Sequence, residues 1–383
     1  MIYLTFKTLR NNKIKQLDLF TSILNDLALP EPKTSLPYNE YCTITTSKEK
    51  ATPFNTAQVT SLHNCLKRFI NLHQADIKKM LDSKFAEYYT TFKIPKAKGG
   101  FRTIEAPNDE LKAMLRELKD LFQDTCFIHP HNAAYAYVPG RCAKNALEKH
   151  QYNQSKHYLH IDLKDFFTSC NAAFIHQQLQ QIFPFSEIYA KPDGPAIMDT
   201  IVQLALYNEH LPQGTPLSPY LTNIIMIPID YAIYNLCRQR NKQHLVYTRY
   251  ADDIDISSKY DFDYKELIKE IELILARQSP LKINYEKIHY GTTAGRNWHL
   301  GLMINQNNEI TIGHKRKREI KTTLLNYCKN KATWSKEDIQ SFHGELAYFR
   351  NIEPDYHDYL IDLYSTKYNN SKNIIAELRE NIS

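Results

Sequence analysis

No two of the seven cysteines (Cys42, Cys65, Cys126, Cys142, Cys170, Cys237 and Cys328) are spaced as CxxC. That absence argues against a zinc knuckle and for a reducing cytoplasm. There is no N-terminal signal and no apolar stretch of membrane-spanning length, so neither export nor a membrane partner is expected. Internal repeats and low-complexity tracts are lacking too, which speaks against a solenoid or a disordered array. What is there is a chain of 383 residues with ordinary apolar content, enough for two to three domains or one multi-lobed domain. Its net charge of +6 is spread along the chain and fits a polyanionic partner without demanding one. Its 26 tyrosines suit stacking on bases or sugars, although ordinary packing accounts for most of them.

The stretch that organises the rest is Leu245 to Ser258, LVYTRYADDIDISS. Val246, Tyr247 and Thr248 favour a strand, and Ile254 and Ile256 alternate with Asp255 and Ser257, so two short strands joined by a tight turn are expected. The turn carries Asp252 and Asp253, whose charges repel unless a cation sits there. An acidic surface turn is the plain alternative. Upstream, YLHIDLKDFF (158–167) alternates so that Leu159, Ile161 and Leu163 share one face and Asp162 takes the other. Asp162, Asp252 and Asp253 together suit two Mg²⁺ ions, because hard cations prefer carboxylate oxygens and keep positions for substrate phosphates. Two such ions about 3.5–4 Å apart serve phosphoryl transfer. Between the two segments lies LPQGTPLSPYLTN (211–223), a loop fixed by prolines and a glycine that leads into an apolar helix.

In this order the three segments resemble the palm of reverse transcriptases, in the bacterial branch that includes retron enzymes, group II intron proteins and defence-associated enzymes. The resemblance runs from about Phe92 to Tyr364. It implies an α+β fold: a right-hand polymerase with fingers, an antiparallel palm sheet and a helical thumb, preceded by a helical N-terminal extension. The corresponding division is 1–90 for the extension, 91–300 for fingers and palm, and 301–383 for the thumb. It also implies RNA-directed DNA synthesis with two Mg²⁺ ions and deoxynucleoside triphosphates. A cognate noncoding RNA serves as template and scaffold, DNA is the product, and the role is antiphage defence. An effector protein or a second copy of the chain is the expected further partner. The alternatives left open are a true retron enzyme making RNA-linked DNA and an RNA-binding assembly protein with a vestigial palm. Ribonucleotide synthesis is a third reading, and it turns on Phe167.

Other segments take roles within that frame. FKIPKAKGGFRTIEAP (92–107) reads as a hairpin turning at Gly99–Gly100 with cations on one face, a phosphate clamp or a solvated basic hairpin. The resemblance favours the clamp and assigns Lys96 and Arg102 to the incoming triphosphate. It puts Phe167 under the sugar, where a ring excludes a 2′-hydroxyl; plain core is the alternative. It assigns Gln213 to nucleotide or template. Lys287 becomes a general acid for pyrophosphate, with a surface lysine as the alternative. Arg141 is the expected template-phosphate contact. Lys315, Arg316 and Arg318 in HKRKREIK (314–321) suit the phosphate backbone. Helices are expected over 14–29, 55–81, 108–122 and 264–276, with a strand over 281–290. A primer-grip hairpin is expected over 298–304, and an amphipathic helix broken at Pro354 over 342–364. Ser218–Pro219 argues against diversity-generating enzymes. No endonuclease, protease, RNase H or zinc module is expected after the thumb. Two departures from retron signatures point to the defence-associated group outside true retrons. After Asn145–Ala146 the histidine, His150, comes one residue late. Where retron enzymes carry Val-Thr-Gly, this chain has His299-Leu300-Gly301.

Overall fold

A computed structural model of the chain describes residues 53–82, 85–96, 99–126, 128–295, 297, 299–368 and 373–382. The expected helix over 14–29 lies outside these residues, as do Lys98 and Trp298. The architecture is α+β, with short antiparallel sheets among helices. The chain divides into two compact units.

Among the described residues, the first unit comprises 53–141, 161–254 and 263–288. Its described N-terminal part is helical: α1 (Pro53–Leu72) and α2 (Gln74–Asp82). Leu62, Leu66 and Phe69 recur at helical spacing along α1 and are buried. The hairpin follows as β1 (Tyr89–Pro95) and β2 (Phe101–Pro107), paired antiparallel from Tyr89↔Pro107 to Pro95↔Phe101. Its turn needs Gly99 and Gly100, whose φ values are +92° and +78°. Most of the hairpin is exposed, Phe92, Ile94 and Phe101 included, so little apolar burial holds it. Next, α3 (Asp109–Cys126) buries Leu111, Leu115, Leu118 and Phe122. Asn108 caps it, its side-chain oxygen accepting from Leu111 N at 2.9 Å, a bond of the kind that contributes about 1 kcal/mol.

The palm sheet is built from β3 (His157–Lys164), β4 (Val246–Tyr250), β5 (Asp253–Ser258), β6 (Lys282–Ile283) and β7 (His289–Thr292). The strand order is β4-β5-β3-β6, with β7 also on β3. β3 and β5 each pass from one unit into the other. The single strand expected over 281–290 is a correction to make: β6 ends at Ile283, a 3₁₀ turn covers Tyr285–Lys287, and β7 starts at His289. Asn284 N donates to Asp162 O at 2.8 Å, continuing the β3–β6 pairing by one bond, and Asn284 Nδ2 donates to Asp162 Oδ2 at 3.1 Å; the pairing breaks after it, where the 3₁₀ turn begins. Residues 284–288 thereby face only 161 and 162 of β3.

The helices that complete this unit are α5 (Ala172–Leu179), α6 (Phe185–Tyr189), α7 (Gly194–Ala205), α8 (Ser218–Ile225), α9 (Ile227–Gln239) and α10 (Tyr264–Gln278). Pro195, Pro219 and Pro228 all lie in first turns, where a missing N–H costs nothing.

The second unit comprises residues 142–160, 255–262 and 289–383. It contains α4 (Ala143–Tyr152), the hairpin of β8 (Met303–Ile304) and β9 (Ile310–Thr311), and a helical C-terminal part. That part runs α11 (Gly313–Lys329), α12 (Lys336–Ile352), α13 (Pro354–Tyr368) and α14 (Ile374–Ile382). One apolar cluster joins Leu302 and Ile304 to Leu324, Tyr327, Phe342, Phe349, Leu360 and Tyr364. The break expected at Pro354 falls between α12 and α13. No helix among the described residues is long and apolar enough to cross a membrane.

Candidate active site

The three aspartates reach one place because of where strands end. Asp162 lies near the end of β3, Asp252 in the β4–β5 turn, and Asp253 at the first position of β5. All three line one cavity of about 890 Å³ in the first unit, together with Lys96, Arg102, Phe167, Gln213 and Lys287. Eight residues singled out in the sequence, spread from 96 to 287, therefore share one cavity.

The turn is braced from beneath by a network that sequence reasoning missed. Arg249, fully buried, pairs with the equally buried Asp230 through Nε–Oδ1 at 2.7 Å and Nη2–Oδ2 at 2.8 Å. Its Nη1 donates to Ala251 O at 3.0 Å, in a turn where Ala251 has φ +58°. Tyr247 OH donates to Asp230 Oδ1 at 2.7 Å. A charge inside an apolar strand demands a partner, and that demand was the available signal; the identity of the partner was not.

Asp162 is almost fully buried, and both of its oxygens are engaged. Asn284 holds Oδ2, and Lys287 Nζ lies 2.7 Å from Oδ1. The Lys287 side chain is 60% exposed and so is free to leave. The bond to Asp162 raises the pKa of Lys287 and keeps it charged. The Asp252 carboxyl is pushed above its ordinary range, first by burial and then by the charge of Asp162, against a backbone hydrogen bond, Lys287 and Arg102. Crowded, desolvated carboxylates with only oxygen donors fit hard divalent cations. As a set the three do not converge to within 4.8 Å; among the described residues, His160, Asp255 and His299 do so.

That second group reads differently. His160 Nδ1 and His299 Nδ1 lie 2.8 and 2.6 Å from the same oxygen, Asp255 Oδ1. Two ligands about 2.0–2.1 Å from a tetrahedral ion stand roughly 3.3 Å apart. The observed spacing is that of hydrogen bonds, so the group is a buried clasp on β5. Burial alone would raise the Asp255 carboxyl, but the two histidines hold it well below the usual carboxylate range.

Phe166 is buried, and the adjacent Phe167 is half-buried at the cavity wall. Gln213 and Gly214 meet the hairpin backbone: Gln213 O accepts from Glu105 N at 2.7 Å. At Gly214, with φ +136°, a Cβ would stand 2.8 Å from Glu105 O. Arg141 is not at the cavity. Its Nη1 donates to Ala134 O at 2.6 Å and His131 O at 3.2 Å, bracing its own loop. Lys315, Arg316 and Arg318 lie exposed on α11 in the second unit, with Arg316 paired to Glu345 at 2.7 Å.

The family described as Reverse transcriptase (RNA-dependent DNA polymerase) matches residues 94–323. The chain is 30% identical over 294 residues to the retron Ec83 reverse transcriptase of Escherichia coli, covering 73% of this chain and 88% of that one. It is 28% identical over 267 residues to the retron Ec73 reverse transcriptase of the same species, covering 69% and 83%. Among solved structures, telomerase from Candida albicans in complex with a fragment of telomeric RNA aligns at TM-score 0.43 and 12% identity, over 82% of this chain and 65% of that one.

Proposed function

The chain belongs to the reverse transcriptase family and is an RNA-directed DNA polymerase, and from that premise we propose how its cavity works and what it serves. The observation that carries the reading is the shared lining of one cavity by Asp162, Asp252, Asp253, Lys96, Arg102 and Lys287. The family works with divalent metal ions, and Mg²⁺ is the ion proposed here. Asp162, Asp252 and Asp253 would hold two of them, which would supply charge stabilisation during nucleotidyl transfer. Lys96 and Arg102, on the exposed hairpin, clamp the triphosphate, with the guanidinium available for a bidentate grip. Phe167 closes the space beside the sugar at C2′. The Gln213–Gly214 backbone, tied to Glu105, sets the distance between hairpin and palm. Lys287, which reaches the cavity at Asp162, would protonate the departing pyrophosphate.

In lobe terms, 91–300 acts as fingers and palm, 301–383 as thumb, and 1–90 as a helical extension. Lys315, Arg316 and Arg318 present charge to a phosphate backbone. Arg141 does so only with the part of its guanidinium left by the two carbonyls. The template is a cognate noncoding RNA, the product its DNA copy, and the setting antiphage defence in the bacterial cytoplasm. An effector protein or a second copy completes the assembly. A second reading, a true retron enzyme making RNA-linked DNA, is favoured by the retron names of the relatives. Primer extension on RNA with deoxynucleotides and Mg²⁺ tests the chemistry. Full activity in Asp252→Ala would refute it. Sequencing the nucleic acid that copurifies separates the two biological readings: DNA joined to RNA supports the retron.

A further inference from the structure

Phe101, Tyr137 and Phe166 also line the cavity, and Phe166 lies against Phe167 with ring centroids 5.5 Å apart; of the three, Tyr137 alone has a left-handed backbone. Tyr137 lines the cavity, and its ring meets Phe167 edge-on, with centroids 6.5 Å apart and planes at 70°. It is 52% exposed, large for an aromatic ring that no core requires. Its backbone is held at φ +57°, a left-handed conformation that a bulky residue adopts only when its surroundings impose it. Those surroundings are visible. Residues 133–135 run along β4, with Arg249 N donating to Ala133 O at 2.7 Å and Tyr135 N to Arg249 O at 2.9 Å. Asn223 Nδ2 then holds Ala136 O at 2.7 Å. The segment is thus pinned up to the residue before Tyr137, and the strain is spent on aiming one ring. Burial first, and then the charge of Asp252, raise the Tyr137 hydroxyl pKa.

We propose that Tyr137 is a second specificity-determining residue for the deoxynucleoside triphosphate, its ring backing Phe167 so that Phe167 cannot swing aside for a ribose 2′-hydroxyl. The inference rests on Phe167 acting as the sugar gate. Ring contact, not the hydroxyl, does the backing.

The test is single-turnover incorporation of a deoxynucleotide and the matching ribonucleotide on an RNA template with Mg²⁺. Wild type is compared with Tyr137→Asn, Tyr137→Phe, Phe167→Val and the Asn/Val double variant. Asparagine tolerates the left-handed backbone, so this variant removes the ring without adding strain. The expected result is a preference for deoxynucleotide reduced about tenfold or more in Tyr137→Asn, mostly through faster ribonucleotide entry. Tyr137→Phe keeps the wild-type ratio, and Tyr137→Asn adds little once Phe167→Val is present. If Phe167→Val shifts the ratio and Tyr137→Asn does not, the role of Tyr137 is overturned. If Phe167→Val itself leaves the ratio unmoved, the gate reading falls instead.

Discussion

Asp230→Ala should cripple this protein from a position that touches no substrate. The variant deletes a carboxylate that receives two bonds from Arg249 and one from Tyr247, with both ion-pair side chains at 0% exposure. The guanidinium is left charged in a site without water. Breaking a buried pair from one side costs about 3–5 kcal/mol. For a unit of this size that is a fall in Tm of roughly 6–20 °C. Activity should fall beyond the loss of folded protein, because Arg249 Nη1 also holds the Ala251 carbonyl of the aspartate turn. The control is a triple variant, Asp230→Leu with Tyr247→Phe and Arg249→Met, which removes every charged member. It should regain at least half of the lost stability, since replacing a whole buried ion pair by apolar groups is often neutral. Thermal unfolding and urea titration read both. A single variant as stable as wild type, or a triple variant no better than the single, would refute the argument that an orphaned charge is the cost.

Asp252→Asn should lower primer extension by about 10³-fold, taking several kcal/mol of charge stabilisation at the metal site. The same variant should lose most of the stabilisation that Mg²⁺ gives wild type, about 2.7 kcal/mol at about a hundred times Kd and read as a rise in Tm; an equal rise in both would contradict the assignment. Lys287→Met should cut kcat by about 10²–10⁴-fold with a smaller change in KM, the range a positioned general acid contributes. Rapid-quench kinetics would show whether the loss sits in the chemical step. Buried His150, pushed down to about 4 by desolvation, sets a pH dependence. The unfolded chain takes up its proton below about 6.5 while the folded one resists, so stability is full above 6.5 and is lost as pH falls towards 4. The loss is on the order of 3 kcal/mol, and urea titrations at pH 7 and 4.5 should show His150→Gln with a shallower slope.

Much of the site was legible because the chemistry limits the residue types. Carboxylates at 162, 252 and 253 announce a cation, and alternation along β3 shows which way Asp162 faces. What stayed hidden were partners chosen across the fold. Alternation over 281–290 is real, yet the pairing stops after Asn284, whose side chain also holds Asp162 across 122 positions. Arg141 has the charge of a phosphate ligand, but two carbonyls within ten residues claim it. Arg249 stands in YTRYADD beside the most informative residues of the chain, and nothing local names Asp230.

The two departures from the retron signatures show the same principle. His150 and His299 lie far apart in sequence, yet their rings stack at 6.3 Å and 15°. Both reach the same strand: His150 Nδ1 lies 2.6 Å from Ser257 Oγ, and His299 Nδ1 lies 2.6 Å from Asp255 Oδ1. Asp255 and Ser257 are alternate residues of β5 and share a face. The carboxylate of Asp255 is buried and needs partners, which His160 and His299 both supply. His299 in turn packs beside His150. The two departures therefore meet in one buried polar cluster, and as structural features they are one site and not two.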